Sequence, residues 1–226
     1  MRILITGING QLGKTLALTR PKDINLIPLT RNELNLEDSK ECFSVVKYYK
    51  PDWVLNAAAY TSVDLAESEI EKAYKVNYEA PKEFSRALLK YGGKLLHIST
   101  DFVFNGKKNS PYCPNDKVGA INIYGKSKAA GEEIILETLG NKNQSSIIRT
   151  SWLMSPYGKN FTLTMLELMK KNKIVSVVND QYGSPTSCES LAKTCWELIL
   201  KSQTKLNSLP EIIHWSNMGK ASWYDV

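Results

Sequence analysis

An apolar strand that runs straight into a glycine turn at residue 7 constrains this chain more than any other stretch. Met1 to Thr6 is a short apolar run, as a strand buried on both faces must be. Gly7-Ile8-Asn9-Gly10-Gln11-Leu12-Gly13 follows, and Lys14 to Thr19 can wind as a helix. Strand, glycine turn, helix is the arrangement that brings backbone close to a dinucleotide pyrophosphate and seats it on the free N–H groups of a helix N-terminus. The spacing is G-x-x-G-x-x-G rather than G-x-G-x-x-G. Gly7, Gly10, Gln11, Leu12 and Gly13 are the expected cofactor contacts of this turn.

The strand–helix alternation continues. Asn25 to Leu29 reads as a second strand, and Thr30 and Arg31 stand where an acid would grip the 2′-hydroxyl of NAD. An arginine there suits a 2′-phosphate, so NADPH is expected, with NADH as the alternative. Asn35 and Leu36, a few residues on, are further cofactor candidates. Asp38-Ser39 opens an amphipathic helix to about Tyr49, which Pro51 ends. Trp53 to Asn56 is a third strand, and the small residues Ala57, Ala58 and Ala59 at its end leave room for a cofactor. A long helical stretch from Ile70 to Tyr91 contains Pro81, which predicts a kink or break. Gly92-Gly93 ends it before the strand Leu95-Leu96-His97-Ile98. Later segments read as a helix from Tyr124 to Leu139, a strand at 146–149, a helix at 161–171, a strand at 174–178, a helix at 189–201, a strand at 212–215, and a helix start at 222–226. The pattern predicts an α/β fold, a Rossmann-like doubly wound parallel sheet, with a small C-terminal substrate lobe. The expected division is 1–150 for the nucleotide domain and 151–226 for a partly interleaved substrate portion.

Thr100 ends the fourth strand, and Tyr124 and Lys128 are four residues apart, one turn along a helix face. A threonine, a tyrosine and a lysine converging beside a nicotinamide can reduce a carbonyl. On Tyr-x-x-x-Lys alone, a helix N-terminus with a partly buried tyrosine and a solvated lysine is the better explanation; the glycine turn at the N-terminus shifts the balance to the chemical reading. The loop 105–122 between Thr100 and Tyr124 is long enough to border a cleft.

Composition excludes several classes. The net charge is +6, from 29 basic and 23 acidic residues, and no basic block exceeds Lys-Lys, so no aromatic-studded basic stripe argues for nucleic acid. Four cysteines without a C-x-x-C, beside two histidines, argue against zinc and for reduced thiols in a cytoplasmic protein. No apolar run approaches the ~18 residues of a membrane span, and the first strand begins at once, without a signal peptide.

Six motifs, Gly7–Gly13, Asn56–Ala59, Ser99–Gly106, Tyr124–Lys128, Arg149–Trp152 and Asn179–Thr186, occur in the order and at the spacing of the dTDP-4-dehydrorhamnose reductase family of extended short-chain dehydrogenases/reductases. The chain resembles that family over its whole length. The resemblance implies reduction of the C4 ketone of dTDP-6-deoxy-L-lyxo-4-hexulose to dTDP-L-rhamnose. It assigns Thr100, Tyr124 and Lys128 as the catalytic trio; with Tyr124 the acid, the positive charges of Lys128 one turn on and of the nicotinamide once formed are expected to lower its pKa. It also implies Asp101, Phe102, Trp152, Asn179 and Gln181 as substrate contacts, and a homodimer as the partner state. Two departures stand out. Some members hold magnesium through an acid on the first helix, where this chain has Lys14-Thr15; Glu189 alone matches, so magnesium is not carried over. Members also run several tens of residues longer, which implies an incomplete substrate lobe. Two other readings remain: another nucleotide-sugar reductase, epimerase or dehydratase, and a non-catalytic NADP-binding regulatory subunit. Dehydratases carry an acidic pair beside the threonine, whereas Asp101 is followed by Phe102.

Overall fold

The structure, a computed structural model, describes residues 1–171, 174–202 and 208–226. Six parallel strands form its central sheet. They are β1 (Arg2–Thr6), β2 (Asn25–Leu29), β3 (Trp53–Asn56), β4 (Lys94–Thr100), β5 (Ser145–Thr150) and, late in the chain, β9 (Ile212–His214). Their order is β2-β1-β3-β4-β5-β9. The chain leaves β1 to one side for β2 and steps back across β1 to reach β3. That reversal makes a topological switch point, where a crevice opens beyond the strand ends. The glycine turn and the Ala57–Ala59 segment leave the two strands that flank it.

Helices cover both faces. On one, α1 (Gln11–Leu18) and α8 (Cys188–Lys201) bury Leu12, Leu16, Leu191, Cys195 and Ile199 against Ile3, Ile5, Leu55, Leu96 and Ile148. On the other, α2 (Ser39–Tyr49), α5 (Ala80–Tyr91) and α6 (Ile123–Leu139) bury Cys42, Val46, Phe84, Leu88 and Ile135 against Leu4, Val54, Leu95 and Ile147. Alternate residues of each strand therefore feed opposite cores, which is why the strands read as unbroken apolar runs. Side-chain oxygens of Asp38, Asn122 and Ser187 accept the free N–H groups at the starts of α2, α6 and α8. Because α8 and β9 belong to the sheet layers, the chain beyond residue 150 returns to complete the nucleotide-side core.

The 70–91 stretch breaks as its proline predicts, in a specific way. α3 (Val63–Ala66) and α4 (Ile70–Tyr74) precede it, and a single π turn, Lys75–Glu79, joins α4 to α5. Pro81 lies in the first turn of α5 and has no N–H to donate to the residue four before it, Asn77. The Asn77 carbonyl instead faces Gly131 of α6, where a Cβ would stand 2.1 Å from it. Only glycine lets the two helices approach this closely.

Beyond the sheet lie β6 (Leu153–Met154), α7 (Phe161–Lys171), β7 (Tyr182–Gly183), β8 (Thr186–Ser187) and β10 (Ala221–Ser222). β6 pairs with β8 and β7 with β10. Two expectations fail here. Ile174 to Val178 is not a strand: Ile174 is exposed and the segment pairs with no strand among the described residues. Residues 222–226 do not begin a helix; the Asp225 carboxylate accepts from the Ser222 N–H and Oγ and closes a turn.

Candidate active site

A cleft of about 760 Å³ opens at the switch point. Its floor is the glycine turn. Gly7 has φ +70°, and a Cβ there would touch Ala58 at 3.0 Å, so the turn after β1 is held tight against the segment after β3. α1 starts at Gly10 with no side-chain cap and no acid in its first turn. Its N–H groups thus remain available for an anion. Gly10, Gln11 and Leu12 line the cleft. Gly13 does not; a Cβ there would lie 2.1 Å from the Gly7 carbonyl, so its place is to let helix and turn pack. Gln11 reaches across the mouth, where its Oε1 accepts from Asn160 Nδ2 at 2.9 Å.

A smaller pocket of about 160 Å³ adjoins the cleft at the ends of β1 and β2, lined by Arg31, Leu34, Asn35, Leu36, Ala58 and Ala59 among others. Its shape and place suit the nucleoside end of a dinucleotide. Arg31 is not poised for a phosphate alone. Its Nη2 pairs with Glu37 Oε1 at 2.6 Å while its side chain is 75% exposed. A 2′-phosphate would share Arg31 with that carboxylate, and an exposed pair of this kind is worth little.

Thr100, Tyr124 and Lys128 all line the opposite wall, as do Asp101, Phe102 and Trp152. Thr100 lies at the end of β4. Its Oγ1 accepts from the Phe102 N–H at 3.2 Å and donates to Asp101 Oδ1 at 3.1 Å. Tyr124 is in the first turn of α6, with Phe102 edge-on to its ring at 5.5 Å. Burial drives its phenol up to about 12, against the lowering effect of Thr100 and with a further rise from Asp101. This differs from the expectation of a lowered tyrosine: in the protein alone, burial outweighs whatever lowers the phenol. Desolvation also holds the Asp101 carboxyl above its ordinary range, although the residue remains exposed along the cleft.

Lys128 is buried, at 1% exposure. Its Nζ donates to the Ile98 carbonyl at 2.6 Å and lies 3.0 Å from His97 Nε2. Desolvation brings it down to about 8, with Glu132 opposing. Two acceptors for three N–H bonds leave one donor for a ligand.

The wall is braced by a residue that sequence reading passed over. Asn77 in the π turn accepts from the Tyr60 N–H at 2.9 Å, and its Nδ2 lies 3.1 Å from the Tyr60 carbonyl and 3.0 Å from Ser127 Oγ. One side chain thus fixes the end of the Ala57–Ala59 segment to the helix that carries Tyr124 and Lys128. Trp223, also missed, stacks on Trp152 at 3.5 Å and 9°. Trp152 has φ +45°, a left-handed geometry that swings its indole out from the end of β5. Gly183 also packs against the Trp152 ring, where a Cβ would stand 2.5 Å from it. Asn179 and Gln181 are exposed and lie outside the cleft wall, so the structure does not bring these two expected substrate contacts to the site.

The model of the RmlD substrate binding domain matches residues 1–226. The chain belongs to that family. It is 40% identical to a dTDP-4-dehydrorhamnose reductase of Aggregatibacter actinomycetemcomitans over 99% of this chain and 76% of the relative. It is equally identical, at 40%, to the spore coat polysaccharide biosynthesis protein SpsK of Bacillus subtilis, over 99% and 76%. The crystal structure of the Bacillus anthracis dTDP-4-dehydrorhamnose reductase in complex with NADP superposes with a TM-score of 0.90 at 39% identity, over 99% of this chain and 77% of that one. A UDP-glucose 4-epimerase from Brucella ovis, at 14% identity and a TM-score of 0.82, shares the fold. In this chain the glycine turn forms the floor, and Thr100, Tyr124 and Lys128 a wall, of one cleft. Among the described residues, no group of three or more His, Cys, Asp or Glu comes together to hold a metal, and no helix is long and apolar enough to cross a membrane.

Proposed function

We propose that this chain reduces the C4 ketone of dTDP-6-deoxy-L-lyxo-4-hexulose to dTDP-L-rhamnose, using NADPH, with NADH as the alternative. The observation that carries the reading is the placement of Thr100, Tyr124 and Lys128 on one wall of a cleft whose floor is an uncapped glycine-turn helix, in a chain of the RmlD family. The cradle fits a dinucleotide: Gly7 and Gly10 leave backbone exposed where a pyrophosphate must approach, and the small side chains at 57–59 leave the adjoining wall open.

The bound dinucleotide supplies a hydride to the ketone carbon. The chain supplies what the ketone oxygen then needs, a proton and hydrogen-bond donors. Tyr124 is the proton donor. A phenol held near 12 gives up its proton poorly by itself, so the positive charge of Lys128 and of the oxidised nicotinamide must assist it. Lys128 spends two N–H bonds on β4, and its third would serve to hold the cofactor's nicotinamide ribose. Thr100 holds its single proton toward Asp101 and swings it to the substrate oxygen when that stronger acceptor arrives. Asp101, Phe102 and the Trp152–Trp223 stack bound the space left for the sugar.

The test is loss of NADPH absorbance with dTDP-6-deoxy-L-lyxo-4-hexulose, NADH run in parallel. Turnover with formation of dTDP-L-rhamnose is expected. Tight NADPH binding without turnover would overturn this reading in favour of a regulatory cofactor-binding protein.

A further inference from the structure

Lys128 is held by a buried polar chain that the reaction, as described, does not use. His97 is 1% exposed and lies on β4, three residues before Thr100. Its Nε2 faces Lys128 Nζ at 3.0 Å, and its Nδ1 faces the Asn56 side-chain amide at 3.0 Å. Asn56, with no exposed surface, in turn meets Thr6 Oγ1 at 2.7 Å, and that oxygen accepts from the Ala58 N–H at 3.2 Å. The chain therefore runs from the cofactor floor, across three neighbouring strands, to the lysine.

Proton counting decides what each atom does. The contact from Nζ to the Ile98 carbonyl, at 2.6 Å, has the shortness of a charge-assisted bond. An ammonium has only donors, so His97 Nε2 must offer a lone pair and the ring must be neutral. Burial and the neighbouring Lys128 both hold the imidazole well below its usual titration range. A neutral ring with a bare Nε2 carries its proton on Nδ1. Asn56 must then present its oxygen to that proton and its nitrogen to Thr6. The amide's two ends have the same shape, and the drawn orientation, nitrogen toward His97, is the one the proton count reverses.

We propose that His97 is a positioning residue for the reductive step: its Nε2 lone pair, fixed by Asn56 and Thr6, pins the Lys128 ammonium against β4 and keeps it charged at the cofactor ribose. This rests on reading Lys128 as the cofactor-holding member of the trio. Other charged or titratable groups around Lys128 are few. Its own helix contributes Tyr124 and Glu132, the 3-10 turn after β4 contributes Asp101, and Arg149 of β5 is engaged with Glu132. Among these, Glu132 alone favours the charged lysine, so His97 is the second support.

Three variants separate positioning from mere packing. His97→Leu removes the acceptor. His97→Asn keeps a polar partner for Asn56 but stops short of Nζ. His97→Gln reaches the Nε2 position with an oxygen. The readouts are the pH dependence of NADPH affinity, followed by fluorescence titration, and that of turnover. In the wild type both fall as pH rises through the Lys128 pKa. Loss of a hydrogen bond to a charged group should move that basic limb toward lower pH by about one to two units in the Leu and Asn variants, and Gln should restore it to within about half a unit. If His97→Leu does not fold, the Asn–Gln comparison carries the test alone. Superimposed limbs for Asn, Gln and wild type would overturn the proposal. A direct check is the ¹⁵N spectrum of the two histidines below the Lys128 pKa: His97 should be the Nδ1–H tautomer, and an Nε2–H tautomer would refute the proton count. If the wild type binds NADPH without turning over, the function assignment fails, while the affinity profile and tautomer still judge His97.

Discussion

Glu132→Ala should be among the most damaging single changes in this chain, although Glu132 touches neither cofactor nor substrate space. The Arg149 and Glu132 side chains are 4% and 3% exposed. Arg149 Nε donates to both carboxylate oxygens, at 3.0 and 3.1 Å, and Nη2 donates to one at 2.7 Å. Removing the carboxylate leaves the guanidinium with the Pro114 carbonyl at 3.1 Å, a poor contact to His214 at 3.4 Å and the Phe104 ring, its centroid 5.0 Å away. Breaking a buried pair from one side strands a charge and costs about 3–5 kcal/mol. At about 2–4 °C per kcal/mol for a chain of this length, the midpoint should fall by roughly 6–20 °C. Thermal unfolding followed by circular dichroism measures it, with urea midpoints as the second measure. The loop 105–122 leans on the same cluster, since Arg149 bonds Pro114, and His214 Nδ1 meets the Tyr112 carbonyl at 3.1 Å. Limited proteolysis should therefore open that loop first. A midpoint shift under about 2 °C, less than 1 kcal/mol by the same conversion, would refute the claim that this pair is desolvated and singly compensated.

Tyr124→Phe should leave NADPH affinity near the wild-type value and cut turnover by ~10²-fold or more, as loss of a general acid does; undiminished turnover would exclude Tyr124 as the proton donor. Arg31→Ala should weaken NADPH by no more than ~5-fold, because an exposed pair shared with Glu37 is worth little, and should leave NADH unchanged; parallel titrations of the two cofactors decide it. Gly13→Ala should give a chain that folds poorly or loses cofactor binding, since its Cβ would lie 2.1 Å from the Gly7 carbonyl and 2.7 Å from Ile8 Cα, both backbone; wild-type affinity and midpoint would contradict the packing. His97 and His214 are both lowered. Below pH 6.5 the unfolded chain takes up protons that the folded chain refuses, so each histidine should subtract up to about 1.4 kcal/mol of stability per pH unit. Urea midpoints at pH 7, 6 and 5 should fall less in His97→Gln than in the wild type; equal falls would count against a neutral buried His97.

What was legible in the sequence was what local periodicity and turn chemistry encode. The β1–glycine turn–α1 unit, the alternation around it and the Tyr124–Lys128 helix face all sit in contiguous residues, and the structure places them as read. Arg31 illustrates a limit: its partner Glu37 is six residues away across a turn, and neither propensity nor spacing announces that the two will pair. Asn179 and Gln181 show another. Their loop was assigned to the sugar by resemblance, but Gly183 seats against the Trp152 ring and the two polar side chains stay outside. His97 and Asn56 were unreadable for a different reason. Each is an ordinary strand residue in sequence, and they meet only because β3 and β4 pair in the register Asn56↔His97. The strand expected at 174–178 failed because β-branched residues favour a strand only where neighbours bury them, and here Ile174 and Val178 stay exposed.

The stacked indoles of Trp152 and Trp223 make the cleft its own optical sensor. Of the five tryptophans, Trp53 and Trp196 are buried in the core, remote from ligand space, while this pair lines the cleft with ring centroids 3.5 Å apart. Their excited states are electronically coupled, so a ligand that parts or tilts the rings changes emission and near-ultraviolet ellipticity together. Reduced nicotinamide absorbs where indole emits, so cofactor arrival can be read by energy transfer. A sugar nucleotide, which lacks that absorption, would be read through the stack alone. The two ligands therefore carry separate spectral signatures in the unmodified protein, and their order of binding can be followed without a label.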